Sequence, residues 1–297
     1  MDKILVIADP LAQLQSAFIK ALSLAHSSCA SIQVLAVCYE SFAELNDSEL
    51  DGDSIKNQII QQYEDFWQKQ INQYDSSLTI SLQVVWHKHL HDSIIQECKA
   101  NNYDLIIKTG HRSETSFYTP TDWMLFRDSP IPVYVVEPRS HKCEKVVLVA
   151  LDALAKSTEK QALNSQLLES AFRLAVQTDA KLHCAYVIKI PTLLKDFDLV
   201  DPKTYANKIK VRAQENMAEL LADYDITKEC IHIEEGEPWG VLANLSKKLH
   251  SQCLVVGSMG RKGIVGKLVG NTAEQIIHIA RTDLLVIGPD VDSKSLL

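Results

Sequence analysis

The chain has 297 residues, 46% of them hydrophobic, and its 38 acidic against 30 basic side chains give a formal charge of −8. An acidic chain is a poor candidate for duplex DNA, because neutralised phosphates supply most of the affinity for DNA, and no apolar stretch approaches the ~18 residues that a membrane span needs. Length and composition predict a soluble protein of two domains, each with its own core.

The start of the chain and its cysteines predict a cytoplasmic location. The first ten residues, MDKILVIADP, lack the basic segment, long apolar core and small-residue cleavage site of a secretory signal. The seven cysteines, an odd number without a CxxC pair, fit reduced thiols better than a disulfide framework. Cys38, Cys184 and Cys253 are expected inside buried strands, and Cys143 is the thiol expected to be exposed.

The chain repeats itself at an interval of about 143 to 151 residues. Ile4–Asp9 (ILVIAD) matches Val147–Asp152 (VLVALD), and Tyr103–Lys108 (YDLIIK) matches Gln252–Gly257 (QCLVVG). Each half then ends in one more apolar run. A duplication explains this pattern and predicts two domains, residues 1–140 and 141–297, joined by the polar stretch Arg139–Glu144.

Within each copy, short β-rich runs alternate with longer amphipathic segments. Copy one opens on a strand and then a helical stripe of Leu14, Ala17, Phe18, Ala21, Leu22 and Ala25; a long sheet-covering helix is expected at 55–74. In copy two, strands are predicted near 145–151, 181–188, 229–234, 253–257 and 284–288, and helices near 158–178, 203–223, 239–250 and 271–281. Strands that are apolar throughout indicate a parallel sheet covered by helices on both faces.

A glycine-rich segment follows the fourth strand of copy two. Five of the ten glycines fall between residues 257 and 270, together with Arg261, Lys262 and Lys267. Glycines let backbone N–H groups approach an anion, and a helix start adds partial positive charge. The segment therefore predicts a phosphate-binding loop, although a loop that is merely mobile has the same composition. Asp152, at the end of the first strand of this copy, is a candidate for a ribose hydroxyl or a magnesium ion, or else a helix or turn cap.

The spacing Gly257-x2-Gly260-x9-Gly270, after an apolar strand and paired with VLVALD, resembles the ATP-binding type of the universal stress protein family. The resemblance covers nearly the whole chain and implies two tandem Rossmann-like α/β domains, each a five-stranded parallel sheet flanked by helices. It implies ATP as the ligand, with Mg²⁺ as a candidate companion ion. The residues it implies for adenosine, ribose and phosphates are Ala150, Leu151, Asp152, Val187, Val256, Gly257, Met259, Gly260, Arg261, Gly270, Asn271 and Thr272.

One residue departs from the family pattern. Where ATP binders of the family carry Ser or Thr after the last glycine, this chain has Asn271, whose amide can still donate a hydrogen bond. The resemblance implies a stress-response sensor or regulator that binds ATP in its second domain, with an unknown protein partner. It also implies a monomer that resembles a family dimer, or a homodimer.

Two other functions are compatible with the sequence. The first is a slow ATPase or nucleotide-dependent transferase, although no nucleophile and base stand at a spacing that indicates a reaction and no catalytic residue is predicted. The second is a nucleotide-free scaffold that binds an apolar ligand or a protein through the first domain.

The first copy lacks the glycine loop. Aligned by its apolar run, Lys108 stands at the position of Gly257 and His111 at that of Gly260, and Thr119–Asp122 replaces the later Gly-Asn-Thr. Residues 1–140 also carry the whole imbalance of charge, with 10 basic and 18 acidic side chains against 20 of each in residues 141–297. Nucleotide binding is therefore expected in the second copy only, and Asp9 is expected to cap a helix. Aromatic side chains of copy one could instead line an apolar pocket: Trp86, Phe117, Tyr118 and Trp123.

Three histidines, His87, His89 and His91, would share one face of an extended strand, where they could bind a metal ion. They directly precede a predicted helix, so solvated loop histidines are the favoured interpretation and no metal site is predicted.

Overall fold

The computed structural model describes residues 1–11, 14–41, 51–74, 77–110, 121–138, 143–190, 201–258 and 272–288. It divides the chain into two compact units, one built on Met1–Pro138 and the other on Arg139–Ser293. Of the predicted linker, residues 139–142 lie outside the described residues, and Glu144 is already the first residue of a strand.

The first unit is an α/β domain with a parallel sheet. Its elements in chain order are β1 (Lys3–Ile7), α1 (Ser16–Ser28), β2 (Ser31–Cys38), α2 (Gly52–Ile71), β3 (Ile80–Trp86), α3 (Leu90–Ala100), β4 (Leu105–Thr109), α4 (Thr121–Asp128) and β5 (Val133–Val136). Their order in the sheet is β3-β2-β1-β4-β5, and each neighbouring pair is parallel.

The second unit repeats this architecture. Its elements are β6 (Glu144–Ala150), α5 (Thr158–Gln177), β7 (Lys181–Ile188), α6 (Pro202–Leu220), a 3₁₀ turn (Lys228–Cys230), β8 (Ile231–Glu235), α7 (Pro238–Lys248), β9 (Ser251–Gly257), α8 (Thr272–Ile279) and β10 (Asp283–Ile287). The order β8-β7-β6-β9-β10 is again parallel throughout. The predicted fold, five-stranded parallel sheets flanked by helices, is confirmed in both units.

Side-chain caps explain where two helices of the second unit, α5 and α6, begin. Ser157 precedes α5, and its hydroxyl accepts a hydrogen bond from the backbone N–H of Lys160 at 3.4 Å. Asp201 does the same before α6, where its carboxylate accepts from the N–H of Thr204 at 2.8 Å. These side chains satisfy N–H groups that have no partner within the helix.

The helical stripes predicted from periodicity form the cores, with one exception. The predicted face of α5, from Leu163 to Ala175, is buried throughout. In the first unit, Phe18 packs edge-to-face on Trp67 of α2 with ring centroids 5.2 Å apart. The expectation for Leu14 is wrong: its side chain is 69% exposed, because α1 begins only at Ser16.

Cys38, Cys184 and Cys253 are buried and Cys143 is exposed, as the sequence predicts. Cys29 is exposed as well, so the expectation of a single exposed thiol is wrong. Among the described residues, no helix is both long and apolar enough to cross a bilayer.

Candidate functional site

The predicted nucleotide site lies at the carboxyl edge of the second sheet, where the strand order changes direction. From β6 the chain passes first to β7 on one side, and later to β9 on the other side. In open parallel sheets, ligands bind at such a switch point, outside the carboxyl ends of the strands. Asp152 follows β6 directly, Val187 lies near the end of β7, and Gly257 ends β9. The fold brings these three predicted residues to one edge.

Asp152 is held in a fixed turn. Its N–H donates to the side-chain oxygen of Asn164 at 2.9 Å, and the Asn164 amide donates back to the Asp152 carbonyl at 2.9 Å. The carboxylate accepts from the N–H of Leu154 at 3.2 Å, so Asp152 does act as a turn cap. The other carboxylate oxygen lies 2.9 Å from Lys160 Nζ, and the Asp152 side chain is 38% exposed. This carboxylate is therefore partly accessible to solvent at the edge of the sheet.

The predicted adenosine-side residues form a mostly apolar wall beside Asp152. Leu151 is buried, with its N–H donating to the Ala185 carbonyl at 2.9 Å, whereas Ala150 and Val187 are half-buried. Such partly exposed, small apolar side chains at strand ends suit contact with a planar ring.

Tyr186 is a residue of this edge that the sequence did not single out. Burial, with smaller contributions from the charge of Asp152 and from Tyr205, raises the pKa of its phenol to about 12. The hydroxyl therefore stays protonated and remains a hydrogen-bond donor at neutral pH. A lone tyrosine within an apolar strand gives no sequence signal that separates this position from ordinary packing.

Gly257 has a role in packing that its place in the glycine pattern does not predict. A Cβ atom there would lie 2.8 Å from Leu163 Cδ2 and 3.3 Å from Leu167 Cδ1, both on α5. The absent side chain thus lets α5 approach β9 closely. Val256 before it is buried, with 2% of its side chain exposed.

Ser258 is the last described residue before the glycine-rich segment and is buried. Its N–H donates to the Ile287 carbonyl at 2.8 Å. Its Oγ has no hydrogen-bond partner within the part of the chain that the structure describes. Buried hydroxyls are nearly always hydrogen-bonded, so a partner for this atom is expected outside the described residues, at the edge where phosphates are predicted.

The remaining predicted site residues lie on the segment between β9 and α8. Thr272 begins α8 and is half-buried. The others lie outside the described residues: Met259, Gly260, Arg261, Gly270 and Asn271.

The strand registers correct the alignment of the two copies by one residue. Leu105 pairs with Ile4 in the first unit, and Cys253 pairs with Val147, the equivalent of Ile4, in the second. The equivalent of Gly257 is therefore Thr109, and Lys108 corresponds to Val256. Hydrogen bonds to the last strand of each unit support this alignment. The N–H of Gly110 donates to the Val136 carbonyl, and the N–H of Ser258 donates to the Ile287 carbonyl.

A buried ion pair replaces the phosphate-binding features in the first unit. Lys108 Nζ lies 2.7 Å from Asp122 Oδ1, with 5% and 1% of the side chains exposed. The same ammonium donates to the Thr109 carbonyl at 2.8 Å. Asp122 stands in the first turn of α4, the helix equivalent to α8, where a helix start attracts an anion. The chain supplies that anion itself.

Asp9 does not cap a helix, contrary to expectation. Its carboxylate accepts from the Thr109 hydroxyl at 2.6 Å and is almost fully buried. The Thr109 oxygen in turn accepts from the N–H of Ala17 in the first turn of α1 at 3.0 Å. Gln15 holds the Asp9 turn as Asn164 holds that of Asp152, by accepting from the Asp9 N–H at 3.1 Å.

A cavity of about 380 Å³ opens at the carboxyl ends of β1, β2 and β3 in the first unit. The residues that line it include Ile7, Asp9 and Val37, together with Tyr39, Tyr63 and His87. Of the aromatic residues expected to line a pocket, Phe117 and Tyr118 lie outside the described residues. Trp86 and Trp123 are not among the described residues that line this cavity.

The three histidines do not converge. His87 and His89 contact each other, with the N–H of His89 3.1 Å from His87 Nδ1. His91 instead points Nε2 towards Asp128 at 3.3 Å. Within the described ranges, no three His, Cys, Asp or Glu side chains are grouped as a metal site would require.

Comparisons with known proteins match the chain over nearly its whole length. The model of the universal stress protein family matches residues 144–288. Universal stress protein E of Salmonella typhi is 31% identical over 298 residues, which cover 97% of this chain and 95% of that protein. A homologue of that protein from Haemophilus influenzae is 28% identical, with 96% and 97% covered. A crystal structure described as a universal stress protein, from Pseudomonas aeruginosa UCBPP-PA14, has a TM-score of 0.70 at 25% identity and covers 97% of this chain and 93% of its own.

Proposed function

The chain belongs to the universal stress protein family, and from this premise we propose that it binds ATP at the carboxyl edge of its second unit and acts as a stress-response sensor or regulator. The observation that carries the proposal is the arrangement at the switch point. There the accessible carboxylate of Asp152, the half-buried Val187 and the end of β9 at Gly257 share one sheet edge.

The described residues fit the two ends of a nucleotide. The half-buried Ala150 and Val187, next to the buried Leu151, would supply an apolar surface for adenine, and Asp152 can accept hydrogen bonds from ribose hydroxyls or take part in holding Mg²⁺. On the phosphate side, Ser258 Oγ, which has no partner among the described residues, would offer a donor, and the start of α8 at Thr272 would offer partial positive charge. Met259, Gly260, Arg261, Gly270 and Asn271 complete the proposed site on the evidence of their sequence spacing.

The proposed mechanism is binding rather than turnover. The phosphates of the bound nucleotide would contact the segment between β9 and α8. If the nucleotide binds one conformation of the protein more tightly than another, it would raise the population of the conformation that a protein partner recognises. We place this activity in the cytoplasm. A monomer that resembles a family dimer, or a homodimer, remains the prediction for assembly.

Calorimetry of ATP with Mg²⁺ on the full chain tests the proposal. We expect one ATP per chain. Val187→Phe should weaken binding by about tenfold or more, because the larger ring intrudes on the adenine surface. Val37→Phe, the equivalent change in the first unit, is the matched control and should leave ATP binding unchanged.

Asp152→Asn keeps the oxygen that caps the turn and removes the charge, and so isolates the electrostatic role of this residue. We expect it to weaken ATP binding while circular dichroism stays as in the wild type. No heat of binding in the wild type, or a loss caused by Val37→Phe but not by Val187→Phe, would refute the proposed site.

A further inference from the structure

The cavity of the first unit occupies the position that the proposed nucleoside site has in the second. Because Ile4 and Val147 are equivalent, Ile7, Ala8 and Asp9 correspond to Ala150, Leu151 and Asp152. The pairing of β1 with β2 and of β6 with β7 makes Val37 the equivalent of Val187. Ile7, Ala8, Asp9 and Val37 all line the cavity of about 380 Å³. The half of the site that would face a base and a ribose is thus open in the first unit.

The half that would face phosphates is closed. Lys108 and Asp122, which line the cavity, neutralise each other at 2.7 Å in a buried pair. A phosphate at the start of α4 would have to displace the Asp122 carboxylate, and it would also approach the buried carboxylate of Asp9. The phosphate and these carboxylates would repel each other strongly, because charges interact more strongly in a buried site than in water. The carboxylates of Asp9 and Asp122 therefore disfavour a ligand phosphate at this end of the cavity.

The walls indicate a planar, polar ligand rather than an alkyl chain. Tyr39 is held against the ring of Trp86, with centroids 5.7 Å apart, and Lys56 Nζ lies 5.9 Å from the centroid of that indole. This packing holds Tyr39, which supplies an aromatic ring to the lining of the cavity. Tyr63 and His87 add hydrogen-bonding groups to the same cavity. Polar groups that stay buried against a hydrocarbon chain would lose their hydrogen bonds, whereas ring nitrogens and hydroxyls would pair with them.

We propose that the first unit contains a second binding site, specific for a phosphate-free planar ligand of the nucleoside or nucleobase class. The buried Lys108–Asp122 pair makes the site selective against nucleotides. The proposal uses the equivalence of the two sheet edges but does not require that the second unit binds ATP.

Calorimetric titration of the full chain with adenosine, guanosine, cytidine and uridine tests it. In the Val187→Phe protein, which lacks the nucleoside surface of the second unit, we expect at least one nucleoside to bind. The corresponding 5′-monophosphate should bind about tenfold more weakly or worse. Val37→Phe should weaken nucleoside binding by about tenfold or more, because the larger side chain fills the cavity.

Tyr39→Ala is the second variant, since Tyr39 is 43% exposed and its loss leaves the core intact. This variant should also weaken nucleoside binding to the first unit, whereas ATP binding to the second unit should not change. Three results would overturn the proposal: no nucleoside binds, nucleoside binding is lost in Val187→Phe but kept in Val37→Phe, or the monophosphate binds as tightly as the nucleoside. A long-chain fatty acid that binds the Val187→Phe protein when no nucleoside does would identify an apolar pocket instead.

Discussion

Lys108 Nζ lies 2.7 Å from Asp122 Oδ1, and the two side chains form a buried ion pair between the end of β4 and the first turn of α4. The second unit has Val256 at the position of Lys108, and no charge is available there for such a pair. This single relationship distinguishes the two copies at the sheet edge where both would bind a ligand.

Removing one partner of this pair should destabilise the first unit strongly. Asp122→Asn or Lys108→Met should each lower the free energy of unfolding by about 3–5 kcal/mol, because the remaining charge stays buried without its counter-ion. Urea unfolding in a Trp239→Phe background measures it, since the other three tryptophans, Trp67, Trp86 and Trp123, report on the first unit.

Two controls accompany that measurement. The double variant Lys108→Met/Asp122→Leu should recover most of the loss. Arg127→Met breaks the exposed pair with Asp128 in the same unit, whose side chains are 58% and 37% exposed, and should change little. A loss of less than about 1 kcal/mol in Asp122→Asn would contradict a buried pair.

Gly257 should tolerate a side chain poorly whether or not a ligand is present. Gly257→Val should destabilise the second unit by about 1–3 kcal/mol, because its branched side chain would collide with Leu163 and Leu167. Hydrogen–deuterium exchange should show faster exchange in β9 and α5. Gly240 lies within α7, where an added Cβ atom would have no contact within 4 Å among the described residues. Gly240→Ala should therefore be neutral or stabilising by up to about 1 kcal/mol. Equal effects of the two changes would argue against the packing role.

The stability of the second unit should fall in mild acid through two histidines. His183 Nδ1 lies 2.9 Å from His232 Nε2 on neighbouring strands. Burial lowers the pKa of both rings from the ordinary 6.5, and the charges of His232 and Lys181 lower that of His183 further. Below pH 6.5 the unfolded chain therefore binds more protons than the folded one, and stability decreases as the pH falls towards the folded pKa values.

Thermal unfolding at pH 7.5 and 5.5, compared between the wild type and His183→Phe, measures this contribution. The wild type should lose more stability than the variant over that interval. Equal losses would assign the acid sensitivity to other groups.

Two thiols should react rapidly with a disulfide reagent in the native protein. Cys29 and Cys143 are exposed, whereas burial raises the pKa of the Cys98 and Cys184 thiols to about 12 and so suppresses their thiolates. Cys29→Ser and Cys143→Ser should each remove one rapid equivalent. A rapid reaction that survives both changes would show that a buried thiol is accessible.

Much of the fold follows from local patterns in the sequence. Apolar strands and the 3.6-residue stripe of α5 predict their elements within a few residues, because burial of one face determines which periodicity is stable. Leu14 was misassigned because its hydrophobicity fits the stripe, but the helix starts two residues later.

The candidate site was only partly predictable, for a different reason. Asp152 and Gly257 stand out because parallel strands bring their carboxyl ends to one edge. The register between distant strands depends on tertiary pairing, and an apolar run such as Leu105–Ile107 can be aligned equally well one residue out of step. The alignment by apolar runs therefore places Lys108 at Gly257 instead of Val256, and the sequence does not predict the Lys108–Asp122 pair.

The position of Asp122 has a consequence for how each unit responds to its surroundings. A carboxylate that belongs to the chain stands beside Lys108 at a constant effective concentration, so the start of α4 is neutralised in every cell state. A site that takes its anion from solution gains stability only as that molecule accumulates. In the proposed function, the first copy would therefore be insensitive to changes in the nucleotide pool, and the second would follow them.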